Sequence, residues 1–167
     1  AEALARMGAD VVLVGRSPEK TLAVVQEIRE KTGSQSVKPL VGDLSAQSEV
    51  RRLADEFRAQ YSRLDVLLNN AGAFFWSRKL SQDGYEMTFA LNHLAYFLLT
   101  NLLVDMLVSS TPARVINVSS AAHIAARLDF DDLQNERGYS GWKAYGQSKL
   151  ANIYFTYQLA RRLQGSG

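Results

Sequence analysis

The spacing of apolar residues along this chain switches between short continuous runs and a three-to-four-residue period, and each switch predicts a change of element. Asp10-Val11-Val12-Leu13-Val14-Gly15-Arg16 is short, β-branched and almost continuously apolar, the pattern of a strand buried on both faces as in a parallel sheet. Ser17-Pro18-Glu19 then predicts a helix start, with serine as N-cap, proline at the first helical position and an acid in the first turn. Leu22, Val25 and Ile28 form that helix's expected buried stripe, and Lys31-Thr32-Gly33 ends it. A second strand runs from Val37 to Val41 and closes on Gly42-Asp43-Leu44. Ser45 is the expected cap of the next helix, in which Val50, Leu53, Phe57 and Tyr61 recur on one side. Asp65-Val66-Leu67-Leu68 reads as a third strand that exits through Asn69-Asn70-Ala71-Gly72.

A loop carrying Phe74, Phe75, Trp76 and Arg78 follows, and then a long helix from about position 83 to 108, with Met87, Leu91, Leu94 and Leu98 toward the core. Arg114 to Val118 is the fourth strand, Ser119-Ser120 its exit, and a polar stretch through Gly141 leads to a last helix containing Tyr145-Gly146-Gln147-Ser148-Lys149. Strands and helices alternate with short connections, so the expected fold is α/β, a doubly wound parallel sheet with crossover helices in a single domain. In such sheets ligands sit beyond the carboxyl ends of the strands.

Composition removes several function classes. Among 167 residues 47% are apolar, enough for a core, and 19 basic against 17 acidic residues leave a charge of +2 with no basic stripe suited to nucleic acid. The absence of cysteine excludes disulfides, thiol catalysis and thiolate metal sites, and the two histidines, His93 and His123, lack metal-ligand spacing, so no metal is expected. The apolar run from Leu94 to Val108 is interrupted by Asn101 and Asp105 and is shorter than the roughly 18 uninterrupted apolar residues of a membrane span, so it reads as a buried helix. No signal peptide is seen, which leads us to expect an intracellular, cytoplasmic protein; membrane anchoring is left open.

The candidate chemistry is concentrated in Tyr145 and Lys149. Residues four apart share a helix face, so phenol and ammonium can enter one cleft, and a fixed cation favours the phenolate form of a tyrosine. That makes Tyr145 a candidate proton donor and acceptor, although the same spacing occurs on solvated helix faces. Asn92 on its own also fits a buried polar group that satisfies its helix, Ser119 and Ser120 fit turn formers, and the double asparagine fits a polar turn.

Taken together and in order, Asn69-Asn70-Ala71-Gly72, Asn92, Ser120 and Tyr145-x-x-x-Lys149 resemble the short-chain dehydrogenase/reductase family. The resemblance implies a Rossmann-type sheet in which Tyr145 is the acid/base, Ser120 holds the substrate oxygen, and Lys149 binds the nicotinamide ribose and favours the phenolate. It further implies that Asn92 bends its helix and holds a water in a proton relay to Lys149. Ser119 competes for the carbonyl contact; alignment of the strand exit with the family motif favours Ser120. Asp43 and Leu44 match the family's adenine contact, and Asn70-Ala71-Gly72 its approach to the adenosine ribose. Gly15 stands where an NAD enzyme usually has an acid and Arg16 follows, so a guanidinium is available for a 2′-phosphate and NADP(H) is the expected cofactor.

The 25 positions from Ser120 to Tyr145, with Asp129-Phe130-Asp131-Asp132-Leu133-Gln134 between them and Ser148-Lys149-Leu150-Ala151-Asn152 after the tyrosine, resemble the retinol-dehydrogenase-like branch. That implies a lipophilic aldehyde, ketone or alcohol as substrate, with Phe74, Phe75, Trp76, His123 and Ile124 as candidate pocket residues. His93 is assigned to helix packing, and His123 stays open between pocket wall and solvent. The resemblance also implies a homodimer built from the long helices. Two alternative functions stand beside it: a non-catalytic NADP(H)-binding regulator of the same fold, against which the intact tetrad argues, and a sugar-nucleotide epimerase, which would be expected to lack Asn69-Asn70-Ala71-Gly72. Against the family pattern the sequence reads as an internal fragment, without the first strand, its glycine-rich loop and the C-terminal strands. Residues 1–167 alone are therefore expected to bind NADPH poorly and to be inactive.

Overall fold

A computed structural model describes residues 1–166. The chain divides into two compact units, Ala1–Asp43 and the remainder from Leu44 onward. Among the described residues the strands form two separate two-stranded sheets, one in each unit, and both are parallel.

In the first unit α1 (Glu2–Arg6) leads to β1 (Val11–Gly15), α2 (Pro18–Thr32) and β2 (Val37–Val41). β1 pairs with β2 from Val11 opposite Val37 to Gly15 opposite Val41. The core joins Ala5, Val25, Ile28 and Val37, with Val11 and Leu13 against them. Ser17 caps α2 as the sequence predicts, accepting from the Lys20 amide at 3.4 Å, and Gly33 ends it in the left-handed conformation at φ 73°. The predicted stripe of α2 needs correction at one position: Leu22 is 54% exposed, and Thr21 is buried beside Val25 and Ile28. Thr21 tolerates that place because its hydroxyl donates to the Ser17 carbonyl at 2.7 Å. Gly15 is required there, since a methyl on it would stand 2.2 Å from Thr21 Oγ1.

The second unit contains α3 (Gln47–Gln60), β3 (Val66–Asn69), a three-residue α-turn α4 (Met87–Phe89), a π-helical turn (Ala90–Leu94), α5 (Ala95–Ser109), β4 (Arg114–Asn117), a 3₁₀ turn (Ala121–His123) and α6 (Gly141–Arg162). β3 pairs with β4 from Val66 opposite Arg114 to Asn69 opposite Asn117. Leu67, Ala54, Leu103 and Leu107 form one core cluster, and Val50, Ala95 and Tyr96 a second. The run Met87–Ser109 is long and apolar enough to cross a membrane, yet Tyr96, Leu103 and Leu107 on it are core residues.

Two expectations fail in this unit. α3 begins after Ala46 rather than Ser45, and its first amide, Gln47 N–H, donates to Asp83 Oδ2 at 2.8 Å, so a distant carboxylate replaces the local serine cap. β3 alternates along its length: Leu67 and Asn69 are buried, whereas Val66 and Leu68, and Ile116 of β4, are each close to half exposed. The long helix starts at Met87 and is interrupted by the π turn, and its buried side runs through Phe89, Asn92, Tyr96, Thr100, Leu103 and Leu107. Met87, Leu91, Leu94 and Leu98 are only half-buried, because the core side includes polar residues that have hydrogen-bond partners.

Candidate active site

The site residues of the second unit stand on β3, the π turn, β4 and α6, and polar side chains lace these elements together. Asn69, buried at the end of β3, donates from Nδ2 to Thr100 Oγ1 at 2.9 Å and to Asn117 Oδ1 at 2.8 Å. It therefore ties the strand exit to α5 and β4, and leaves Asn70 and Gly72 exposed beyond it, with Ala71 half-buried between them. The double asparagine thus divides into a structural residue and a surface one.

Asn92 is fully buried within the π turn, a feature that often marks function. Its side chain makes a two-way contact with Ala73: the Ala73 amide donates to Oδ1 at 2.9 Å and Nδ2 donates to the Ala73 carbonyl at 3.0 Å. Nδ2 also donates to Ser148 Oγ on α6 at 3.1 Å, and Ser148 donates to the Tyr145 carbonyl at 2.7 Å. The Asn92 carbonyl accepts from Asn152 Nδ2 at 2.9 Å, and Asn152 Oδ1 lies 2.9 Å from His93 Nδ1. The π turn at Asn92 is thus bonded to α6 through both the Asn92 side chain and its carbonyl. His93 packs against Phe89 at 5.0 Å between ring centroids, and burial holds its imidazole below the usual histidine range.

Ser119 and Ser120 face different partners. Ser119 Oγ donates to the Lys149 carbonyl at 2.9 Å, so its proton is committed to α6. Ser120 Oγ accepts from the Ala122 amide at 3.2 Å, capping the 3₁₀ turn and leaving its own proton for another acceptor. His123 Nδ1 lies 2.6 Å from the Ser120 carbonyl. Gly146 lets this turn approach α6 closely, since a methyl there would stand 3.0 Å from the Ala122 carbonyl oxygen and 3.1 Å from Ala126 Cβ.

Tyr145 is half-buried and Lys149 only 3% exposed. The lysine Nζ donates to the Val118 carbonyl at 3.2 Å and lies 5.7 Å from the centroid of the Tyr145 ring. Burial lowers its pKa from the ordinary lysine value. Of the candidate pocket residues, Phe74 has its ring centroid 4.7 Å from that of Trp76, edge-on, and 4.9 Å and 5.8 Å from those of Trp142 and Tyr145, tilted, whereas Ile124 is 78% exposed. Gly141 is needed under this cluster, because a methyl would meet the Phe75 carbonyl oxygen at 2.5 Å and Phe74 at 2.9 Å. The segment from 125 to 140 docks alongside: Tyr139 donates to the Phe75 carbonyl at 3.0 Å, and Gln134 Oε1 accepts from the Glu86 amide at 2.6 Å. Glu86, fully buried, receives the Thr88 and Phe89 amides at 2.8 Å and starts α4.

The structure thus brings Asn92, Tyr145 and Lys149 into one network with the exits of β3 and β4. Leu44 lies in the same unit, whereas Arg16, exposed at the exit of β1, and Asp43 belong to the first unit. Sequence reasoning missed Asn152 and Tyr96 as neighbours of these residues. Both had a signal: Asn152 follows Ser148 by four positions on one helix side, and Tyr96 follows Asn92 by four positions.

Comparison with known proteins gives consistent matches. A family profile described as short chain dehydrogenase covers residues 1–167. Human retinol dehydrogenase 11 is 47% identical over 167 residues, all of this chain and 52% of the relative. A crystal structure of an uncharacterized protein from Mycobacterium paratuberculosis superposes with a TM-score of 0.85 at 41% identity, over 99% of this chain and 57% of that one. Pseudomonas aeruginosa RhlG, solved as an active-site complex with NADP, gives a TM-score of 0.78 at 29% identity, over 99% of this chain and 61% of that one. The chain spans about half the length of the curated relatives it matches.

Proposed function

This chain belongs to the short-chain dehydrogenase family, in its retinol-dehydrogenase-like branch, and from that premise we propose that the protein carrying it is an NADP(H)-dependent oxidoreductase interconverting a lipophilic aldehyde or ketone and the corresponding alcohol. The observation that carries this reading is a buried Lys149 beside the ring of Tyr145, on a helix that Asn92 laces to the β3 exit. When bound, a nicotinamide cofactor supplies the hydride for reduction or accepts it in oxidation. Gly72 fits such a ligand: a methyl on it would stand 3.1 Å from Asn92 Oδ1 and 3.4 Å from Lys149 Nζ, so the strand exit is kept bare beside the ammonium. In this reading Lys149 and Tyr145 hold the nicotinamide ribose, Asn70, Ala71 and Gly72 the adenosine ribose, Asp43 and Leu44 the adenine, and Arg16 a 2′-phosphate.

In the reductive direction the phenol of Tyr145 gives its proton to the carbonyl oxygen as negative charge develops there, and the Ser120 hydroxyl donates a hydrogen bond to the same oxygen. In the oxidative direction the phenolate takes the alcohol proton. The Lys149 ammonium favours that phenolate. Asn92 holds the strand exit and α6 in register, and the water relay assigned to it by resemblance belongs to the same proposal. Phe74, Trp76 and Trp142 form an apolar cluster beside Tyr145, which supports a lipophilic substrate, as does the retinol in the relatives' names. Exposed Phe97 on α5 and Tyr154 and Tyr157 on α6 support a homodimer through those helices.

Assay of the full-length protein against a panel of lipophilic aldehydes and ketones should show consumption of NADPH. Tight NADPH binding without turnover of any member would favour the non-catalytic regulator instead. Arg16→Ala should weaken NADPH far more than NADH; equal losses would refute the 2′-phosphate assignment.

A further inference from the structure

Lys149 poses an electrostatic problem that the proposed mechanism leaves unsolved. Its side chain is almost entirely buried, and among the described residues no carboxylate pairs with it. Burial without a counter-charge disfavours the ammonium, which donates to the Val118 carbonyl at 3.2 Å. Two aromatic rings face it. Nζ lies 5.7 Å from the centroid of Tyr145 and 5.7 Å from the centroid of Tyr96, both within reach of a cation–π contact.

Tyr96 comes from the first turn of α5, four residues after Asn92, so the helix side that gives Asn92 to α6 also gives Tyr96 to Lys149. It is 2% exposed, and its hydroxyl is buried without a hydrogen-bond partner. Burial, with a smaller contribution from Tyr145, pushes its pKa up to about 12, so near neutral pH it is an un-ionised phenol. A tyrosine whose hydroxyl is unused and whose ring face receives a buried cation is present for the ring.

We propose that Tyr96 is a positioning residue of the active site, its ring face holding the Lys149 ammonium charged and directed toward Tyr145. The role rests on the oxidoreductase reading for its consequence in turnover, but the contact itself is a property of the folded chain. Removing the ring lowers the pH at which Lys149 loses its proton, because the compensation that opposes its burial is gone. The groups facing the ammonium are Tyr145 on α6, Tyr96 on α5, the Val118 carbonyl beyond β4, and the bare Gly72 beyond β3.

The test uses the full-length protein with Tyr96→Phe, Tyr96→Leu and a series of progressively fluorinated phenylalanines at position 96, which weaken the ring's negative face at nearly constant volume. Lys149 is titrated by NMR with isotope-labelled lysine, and the pH profile of kcat/KM is recorded in parallel. Tyr96→Phe should titrate like the wild type, Tyr96→Leu should lose the Lys149 proton about one pH unit earlier, and the fluorinated series should fall between in order of fluorine count. The alkaline limb of kcat/KM should move with the titration, with a loss approaching about tenfold for Tyr96→Leu above that limb. An unmoved titration in the fluorinated series would overturn the proposal, as would a shift in Tyr96→Phe equal to that in Tyr96→Leu. If the NMR titration shifts as stated but Tyr145→Phe retains full turnover, the proton-transfer reading fails and the Tyr96 contact stands.

Discussion

Ser119 and Ser120 leave β4 side by side, and their hydrogen bonds separate two roles that their adjacency in sequence leaves entangled. The Ser119 proton is held by the Lys149 carbonyl, whereas the Ser120 oxygen receives the Ala122 amide and keeps its proton available. Ser120→Ala should therefore lower kcat by about 100- to 1000-fold, as for loss of an oxyanion donor, with about 1 kcal/mol of stability lost with the turn cap. Ser119→Ala should cost about 1 kcal/mol of stability and leave kcat within a few-fold. Steady-state kinetics and denaturant titration of the pair check both. His93 gives a pH prediction of known sign. Burial depresses its folded pKa below 6.5, so the unfolded chain binds the proton more readily than the folded one. Its stability contribution is complete above pH 6.5 and is lost as pH falls through the lower folded value. Unfolding free energy measured from about pH 7 to about pH 5 should decline, and His93→Leu should flatten that decline.

At the scale of elements, the close approach of the 3₁₀ turn to α6 depends on Gly146. Alanine is the better helix former by up to about 1 kcal/mol, but its methyl would press on the Ala122 carbonyl oxygen and Ala126, and the turn bearing Ser120 would have to shift by a few tenths of an ångström. Gly146→Ala should thus leave the melting temperature unchanged or raised while lowering kcat; a fall in stability with intact kcat would show that the contact does not position Ser120. The strands of this chain were legible from their apolar runs to within a residue or so, and the start of α2 from its serine cap. The π turn was not, because nothing local dictates it: it is held by Asn92 bonding Ala73 and Ser148, and by Asn152 on a helix 60 positions later bonding the Asn92 carbonyl. The cap of α3 was misread for the same reason, since Asp83 lies 36 positions beyond the amide it receives.

Across the whole molecule, the sequence order of Asn92, Ser120, Tyr145 and Lys149 was enough to suggest the family, and the folded second unit shows how the interval between them is used. The polar segment between Ser120 and Tyr145 has no apolar period to read, yet Gln134 and Tyr139 fasten it to Glu86 and Phe75. Phe74 accordingly stands against Tyr145 and Trp142, a contact that neither residue's local sequence announces. Arg16 follows β1 in one unit and the tyrosine–lysine pair stands on α6 of the other, so Arg16→Ala and Tyr145→Phe test the proposed cofactor preference and the proposed proton transfer separately. The central claim is that Tyr145 is the group that moves the proton, and replacing it with phenylalanine in the full-length protein removes only the hydroxyl. NADPH affinity and turnover of a reducible carbonyl should be measured together in Tyr145→Phe: the account predicts affinity close to wild type with turnover reduced by orders of magnitude, and unchanged turnover would contradict it.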